Sequence, residues 1–430
     1  MIGGKYLKAL ILSAGPGERL MPITATRPKS MIQIMGKPVL EYSIEGLKKN
    51  GIKDIIIVVG YQREKIIDYF GYGSDFDVRI RYVFQNEPKG VADAILLAQE
   101  ELQGEDEFIL LFGDVIVSSE MISRVIQTHK KLNAASTMLV TLVDRPQDYG
   151  IAKIGTKAKI EEVIEKPSDG ISSNYALAGV FYLNSIFLRY LSLTKFVDKA
   201  FNKMIEDNYE LYASVWEKPW AEFTWPWDIL KANDLVLREY LRKKGSWISE
   251  NANISESATI EGSVIISDDV IIRPGASIIG PAYIGKGSYI GNNALIRRYT
   301  SICENVKIGY GVEIKGSVIF KDTWIGRLSY IGDSVIGANV RFEAGTQTWN
   351  WSPRGEKLTF RFNNLEMVIP LEKVGIMVGD NSVIGINVAF YPAIRIGQNV
   401  DILPGIVVTD DIPADSIVSE TRTLNIQKKN

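Results

Sequence analysis

Ile284-Gly-Lys-Gly-Ser-Tyr-Ile290-Gly-Asn-Asn-Ala-Leu-Ile296 sets an isoleucine at every sixth position, the first two each followed by glycine. Followed outward, the same phase puts isoleucine at 254, 260, 266, 272, 278, 284, 290, 296, 302, 308 and 314. After a five-residue step the ladder continues at Ile319, Ile325 and Ile331, and after another at Ile336 and Phe342. It resumes at Val378, Ile384, Phe390, Ile396, Ile402 and Val408. This period is neither that of an amphipathic helix nor that of an alternating strand. It fits short strands joined by tight turns, with the β-branched side chains stacked inside a prism whose corners take Gly or Asn. Only Leu295 and Leu328 are leucines between Ile254 and Phe342, which also argues against helix there.

The repeat resembles that of the hexapeptide-repeat proteins, whose fold is an all-β left-handed parallel β-helix. Their chains commonly associate in threes, so the resemblance implies a homotrimer or higher assembly. The expected β-helix domain spans 246–425, with an insertion loop at 346–374 where the ladder is interrupted.

Residues 1–245 read differently, as strand and helix in alternation. Strand candidates are Leu7 to Leu12, Ile55 to Val59, Ile80 to Phe84, Phe108 to Phe112 and Thr137 to Val143. Helical patterns run through Leu40 to Lys49, Val91 to Leu102 and Ser119 to Leu132. That order predicts an α/β, Rossmann-like domain with a mostly parallel sheet and ligands at the carboxyl ends of its strands. A charged helix, Ile229 to Lys244, is expected to lead into the prism and to end at Gly245.

Composition narrows the chemistry. One cysteine, Cys303, cannot form an intramolecular disulfide, and one histidine, His129, excludes multi-histidine metal sites. Lys plus Arg number 49 against 51 Asp plus Glu, a net charge of −2, which gives no reason to expect nucleic acid or an anionic membrane as partner. No apolar run is long enough for a membrane span and no signal-peptide pattern opens the chain, so the expectation is a soluble, cytoplasmic protein. His129, in Thr128-His-Lys-Lys, reads as part of a solvated helix end.

The first strand candidate opens into Ser13-Ala-Gly15-Pro-Gly17-Glu-Arg19-Leu-Met-Pro22-Ile-Thr24, followed by Arg27-Pro28-Lys29 and Lys37-Pro38. Glycines after a buried strand let backbone N–H groups approach phosphate oxygens, and Arg19 and Lys29 add positive charge. The whole constellation resembles the signature of the sugar-1-phosphate nucleotidylyltransferases, over about the first 230 residues. The resemblance implies that Ser13, Ala14, Gly15 and Gly17 meet the nucleotide. Arg19 would hold the leaving pyrophosphate and Lys29 the α-phosphate, with Mg²⁺ as cofactor and a nucleoside triphosphate and a sugar-1-phosphate as substrates. In Gln85-Asn-Glu-Pro-Lys-Gly90, Gln85 and Gly90 would meet the base, and a Gln amide offers a donor and an acceptor to the imide edge of uracil or thymine. Asp114 would bind the metal. Gly150 and Glu165 would contact the sugar, and Lys166 its phosphate. The stretch Ser173 to Tyr182 is closest to the glucose-1-phosphate thymidylyltransferase version.

Four departures stand out. The family's second metal carboxylate, an Asp, is matched here by Glu222 in Trp220-Ala-Glu222-Phe-Thr-Trp-Pro226-Trp-Asp228, with Asp228 expected to begin the next helix. Its Glu-x-Thr-Asp stretch is Lys195-Phe-Val-Asp198, and Leu177 stands where uridylyltransferases carry Asn. In the prism, bifunctional relatives acetylate an amino sugar with a histidine base placed before Leu-[ST]-Tyr, and here that position is Arg327. An arginine cannot accept a proton at neutral pH. Arg297, Lys315, Tyr330 and Asn350 match other positions of that second site, which reads as vestigial. The expected function is therefore a nucleotidylyltransferase making a UDP- or dTDP-sugar. Alternatives are a non-catalytic nucleotide-sugar-binding regulator and a bifunctional enzyme with residual acyl transfer.

Overall fold

A computed structural model describes residues 7–167, 173–352, 354–363 and 365–421, so the outer limits of the two expected domains, 1 and 425, lie outside the described residues. The chain divides into two compact units, residues 1–17, 27–32 and 37–223 in the first and 18–26, 33–36 and 224–430 in the second. The expected boundary at 245 lies at the end of the linking helix, whereas the packing divides the chain before that helix, after Phe223.

In the first unit the chain runs β1 (Lys8–Ser13), α1 (Val39–Lys49), β2 (Asp54–Val59), α2 (Arg63–Phe70), β3 (Arg79–Phe84), α3 (Val91–Leu97), β4 (Glu107–Phe112), α4 (Ser119–Leu132) and β5 (Ser136–Leu142). It continues through β6 (Gly150–Ile154), β7 (Ile160–Glu165), β8 (Tyr175–Asn184), α5 (Ile186–Thr194), α6 (Val197–Glu206) and β9 (Leu211–Trp216). These strands form one sheet in the order β9-β5-β8-β4-β1-β2-β3, with β6 and β7 attached beside β8. Its pairings are parallel except those made by β8 with β4 and β5 and those of the β6–β7 arm. Strands such as β2 (Asp-Ile-Ile-Ile-Val-Val) are apolar on both faces because helices cover both sides. Helix α3 ends at Leu97 and the chain turns through 98–103, so the expected helix to Leu102 is too long.

The second unit opens with α7 (Pro226–Lys244). Its first turn is set by Pro226 and by Asp228, whose carboxylate accepts the backbone N–H groups of Trp225 (2.7 Å) and Thr224 (3.2 Å). Gly245, at φ +75°, ends the helix as expected. Beyond it, the chain winds into a left-handed parallel β-helix of three sheets. Each ladder residue pairs with the one a full turn later, as in Ile254↔Ile272↔Ile290↔Ile308↔Ile325↔Phe342↔Ile384↔Ile402. These side chains form one continuous buried column. At the corners the backbone turns through positive φ, held mostly by Asn, Asp or Gly, and also by Tyr299, Leu328 and Ala393. At Gly345 (φ +78°) a Cβ would sit 2.1 Å from Asn387 Oδ1 of the next turn, and the positive φ strains any residue with a side chain. The interruption carries a two-stranded antiparallel hairpin, Thr359–Phe362 with Leu365–Val368.

Candidate active site

The nucleotide- and metal-site residues of the first unit gather at the carboxyl ends of β1, β3 and β4. Ser13 ends β1, is buried, and its hydroxyl lies 2.5 Å from that of Ser30, which ties the loop at 27–32 to the strand. The Ala14 carbonyl accepts the Tyr61 N–H at 3.0 Å. At Gly15 and at Gly90 (φ +94°) a Cβ would meet no protein atom within 4 Å. Packing therefore does not require glycine at Gly15, and its exposed backbone leaves room for a close-lying ligand. Gly17 lies at φ +68°.

Gln85 is almost fully buried where β3 meets its loop. Its amide nitrogen donates to the Gly90 carbonyl (3.1 Å) and to Asp93 Oδ2 (2.8 Å). Both amide hydrogens thus have protein partners, which narrows the expectation of a donor and an acceptor offered together. The carboxamide oxygen is left for a further partner, its orientation set by Asp93, a residue the sequence reading did not single out.

Lys29 Nζ lies 3.1 Å from Asp114 Oδ2, each side chain about a quarter exposed. Asp114 follows β4, and a short antiparallel bridge pairs Val115 with Glu222. Two backbone bonds fix it, Ile116 N–H to the Ala221 carbonyl (3.1 Å) and Phe223 N–H to the Asp114 carbonyl (2.9 Å). Two carboxylate-bearing residues, distant in sequence, are so held on adjacent backbone segments. Hard oxygen donors in this arrangement fit Mg²⁺, which binds one or two protein carboxylates and completes its shell with phosphate and water.

A second group lies on the β6–β8 arm. Gly150 pairs with Glu165 across β6 and β7, and a Cβ on Gly150 would come within 2.9 Å of Glu165 Oε2 and 3.3 Å of Leu177. Glycine here lets the Glu165 carboxylate and Leu177 close on the backbone. Lys166 turns through φ +43°, its N–H donating to the Tyr149 carbonyl, and its ammonium lies 3.8 Å from Glu165. Desolvation raises the Glu165 pKa, Lys166 pulls it down and Asp198 raises it. Asp198 is thereby an electrostatic neighbour that the comparison of Lys195-Phe-Val-Asp198 with the family stretch could have marked. Tyr149 and Trp220 meet edge to face at 5.6 Å beside this arm.

Arg19 belongs to the second unit, where its guanidinium carbon lies 5.0 Å from the centre of the Trp225 ring.

The second candidate cluster lies on one sheet of the β-helix. Arg297 pairs with Glu313 (2.7 Å) and Lys315 with Asp333 (2.9 Å). Asn350 donates to Tyr330 Oη (3.1 Å) and to Asp333 Oδ2 (2.6 Å). Arg327 is exposed at the preceding corner. His129 departs from its expectation. It is buried, with Nδ1 3.1 Å from the Thr137 hydroxyl, Nε2 3.2 Å from Glu107, and its ring stacked on Tyr182. Ile122, Val125 and His129 share one helix face, a spacing that points inward.

Two family models match the chain, Nucleotidyl transferase over residues 8–239 and GMPPB C-terminal domain over 278–418. The "Bifunctional protein GlmU" of Methanococcus vannielii is 35% identical, covering 99% of this chain and all of that one. A "Bifunctional sugar-1-phosphate nucleotidylyltransferase/acetyltransferase" of Sulfurisphaera tokodaii is 34% identical over 94% of this chain and 98% of its own. Among solved structures, a UDP-glucose pyrophosphorylase from Acinetobacter baumanii shares the fold of the first unit, with TM-score 0.50 and 24% identity over 56% of this chain and 95% of its own. No described helix is long and apolar enough to cross a membrane.

Proposed function

The chain belongs to the nucleotidyl transferase family and is a sugar-1-phosphate nucleotidylyltransferase, and from that premise we infer that it joins glucose-1-phosphate, or a close relative, to UTP or dTTP with release of pyrophosphate. The observation that carries this reading is the Lys29–Asp114 pair at the carboxyl end of the sheet, with Glu222 bridged to the backbone beside it.

The nucleophile, a phosphate-monoester oxygen, is already an anion at neutral pH, so no imidazole is required. The obstacle is repulsion between two polyanions and their alignment for in-line attack at the α-phosphorus. Lys29 neutralises the α-phosphate, Arg19 the departing pyrophosphate and Lys166 the sugar phosphate. Asp114 and Glu222 would hold Mg²⁺, which supplies Lewis-acid screening of the phosphate charge. The Gln85 oxygen accepts the ring N–H of a pyrimidine imide, which adenine and cytosine lack at the corresponding position. Glu165 accepts hydrogen bonds from sugar hydroxyls, with the Gly150 backbone against the ring.

In the β-helix we assign no acetyl transfer, because Arg327 stands where a proton acceptor is needed. The hexapeptide ladder serves assembly, and a trimer is the expected species in light scattering.

The test is incubation with UTP, dTTP, ATP and CTP in turn, a panel of sugar-1-phosphates and Mg²⁺, with pyrophosphate measured. Release with UTP or dTTP and one hexose-1-phosphate is expected. Silence across the panel together with tight nucleotide-sugar binding would replace catalysis with a sensor role, the reading that Glu222 in place of Asp favours.

A further inference from the structure

The hairpin strand Thr359–Phe362 leaves the β-helix ladder and ends in an aromatic cluster that the reaction as described does not use. Phe360 is buried and meets Trp227 edge to face (5.1 Å, 88°) and Trp225 likewise (5.8 Å, 74°). Phe362 meets Trp225 at 5.9 Å and 81°. The two indoles stack on each other at 5.6 Å and 15°. The far side of Phe360 is fixed as well. Arg395, from the ladder, places its guanidinium carbon 4.5 Å from that ring, donates to the Arg361 carbonyl (2.8 Å) and pairs with Asp411.

Trp225 therefore sits between two groups. Phe360 and Phe362 set the plane of its indole, and its backbone N–H is held by Asp228. Arg19, from the signature loop, lies over its ring. An exposed arginine samples many rotamers, and confining it before a ligand arrives reduces the entropy lost on binding. A guanidinium over an indole is attracted by the negative face of the ring, which favours one orientation.

We propose that the hairpin strand is a positioning element for the reaction, with Phe360 and Phe362 locking Trp225 and Trp225 pre-orienting the Arg19 guanidinium for the pyrophosphate of the triphosphate. This rests on the reading of Arg19 as the pyrophosphate-binding group. It also gives the interruption of the ladder a purpose. A β-helix without the excursion would have no side chain of this strand to present to Trp225.

The experiment is a double-mutant cycle read in both reaction directions on the full chain. Phe360→Ala/Phe362→Ala, and separately Trp225→Leu, are each combined with Arg19→Ala, and KM for pyrophosphate, KM for the nucleotide sugar and thermal stability are measured. The hairpin pair and Trp225→Leu are each expected to raise the pyrophosphate KM about tenfold in the wild-type background, with the nucleotide-sugar KM within about twofold. Neither should add anything once Arg19 is alanine. Phe360→Tyr, which keeps the ring edge, is expected to restore most of the loss. Equal effects with and without Arg19, or a lowered Tm with the KM values unchanged, would reduce the cluster to packing and overturn the proposal. An Arg19→Ala enzyme with the wild-type pyrophosphate KM would overturn the reading of Arg19, and the proposal with it. An Arg19 effect without any hairpin effect overturns the proposal alone. Should the double variant fail to fold, Trp225→Leu decides the question.

Discussion

Lys29 and Lys315 make nearly the same contact, each with one aspartate, at 3.1 Å in the first unit and 2.9 Å in the second, and each with a quarter of its side chain exposed. Their surroundings differ. In the first unit a Cβ at Gly15 would meet open space, and the backbone of Glu222 is bridged to Val115, next to Asp114. Around Lys315, the groups at Arg297, Tyr330 and Asn350 each have an internal partner. Arg297 is paired with Glu313, Asp333 also accepts from Asn350, and Asn350 donates to Tyr330. A lone ion pair is easily exchanged for a metal and a phosphate, because the entering charges replace the ones separated. A closed network must lose several hydrogen bonds before a ligand gains any. The same pair of residue types is thus poised in one unit and locked in the other.

Substitution of the two lysines breaks or sharpens that contrast most strongly. Lys29→Ala is expected to lower kcat/KM for pyrophosphate release by about 10²–10³-fold, the usual loss when one charge-stabilising donor is removed from a phosphate site. Lys315→Ala should leave the same reaction within about twofold. Comparable losses from both would mean that the β-helix cluster acts in nucleotidyl transfer. The next effect in size concerns Glu222. Glu222→Gln keeps the shape and removes the charge, and a fall of about 10–100-fold with a higher Mg²⁺ requirement is expected if this residue supports the metal. Glu222→Asp should stay within about tenfold of the wild type. A large gain instead would identify the longer side chain as a defect of the site.

Much of this contrast was legible in the sequence, and the illegible part has a common cause. The ladder could be assigned residue by residue because each turn pairs Ile with Ile at a fixed offset, so period and register are one fact. The Lys29 loop and Asp114 were legible because their chemistry is local, a glycine-rich turn after one strand and a carboxylate after another. Partners distant in the chain were not. Nothing near Gln85 says that Asp93 and the Gly90 carbonyl take both of its amide hydrogens, nor does the insertion announce that Phe360 and Phe362 reach Trp225. Glu222 could be aligned with a family position, but its bridge to Val115 is a product of the fold.

A smaller effect tests the locked cluster on its own chemistry. The wild type is expected to release no coenzyme A from acetyl-CoA with glucosamine-1-phosphate, since an arginine, not a general base, stands at position 327. Arg327→His supplies the missing acceptor and should bring slow release above background, while the internal pairs of Arg297 and Lys315 keep the rate low. Vigorous turnover by the wild type would show that the network opens on binding and that a different group takes the proton.

The smallest effect concerns the imidazole that neither site uses. His129 is enclosed by Thr137, Glu107 and Tyr182, and burial lowers its pKa below the usual histidine value, opposed by Glu107 and assisted by Lys130. The native chain therefore resists a proton that the unfolded chain accepts. Above the unfolded pKa, about 6.5, both forms are neutral and the contribution to stability is complete. As pH falls from there toward the lower native value, the unfolded state binds more protons and stability is lost. Thermal melts between pH 7.5 and 5 should show a decline in Tm that is shallower in His129→Gln, which keeps a polar side chain but cannot titrate. A solvated histidine would give parallel curves for the two proteins. Parallel curves would return His129 to the surface and reopen the possibility that the chain's one imidazole is available for catalysis.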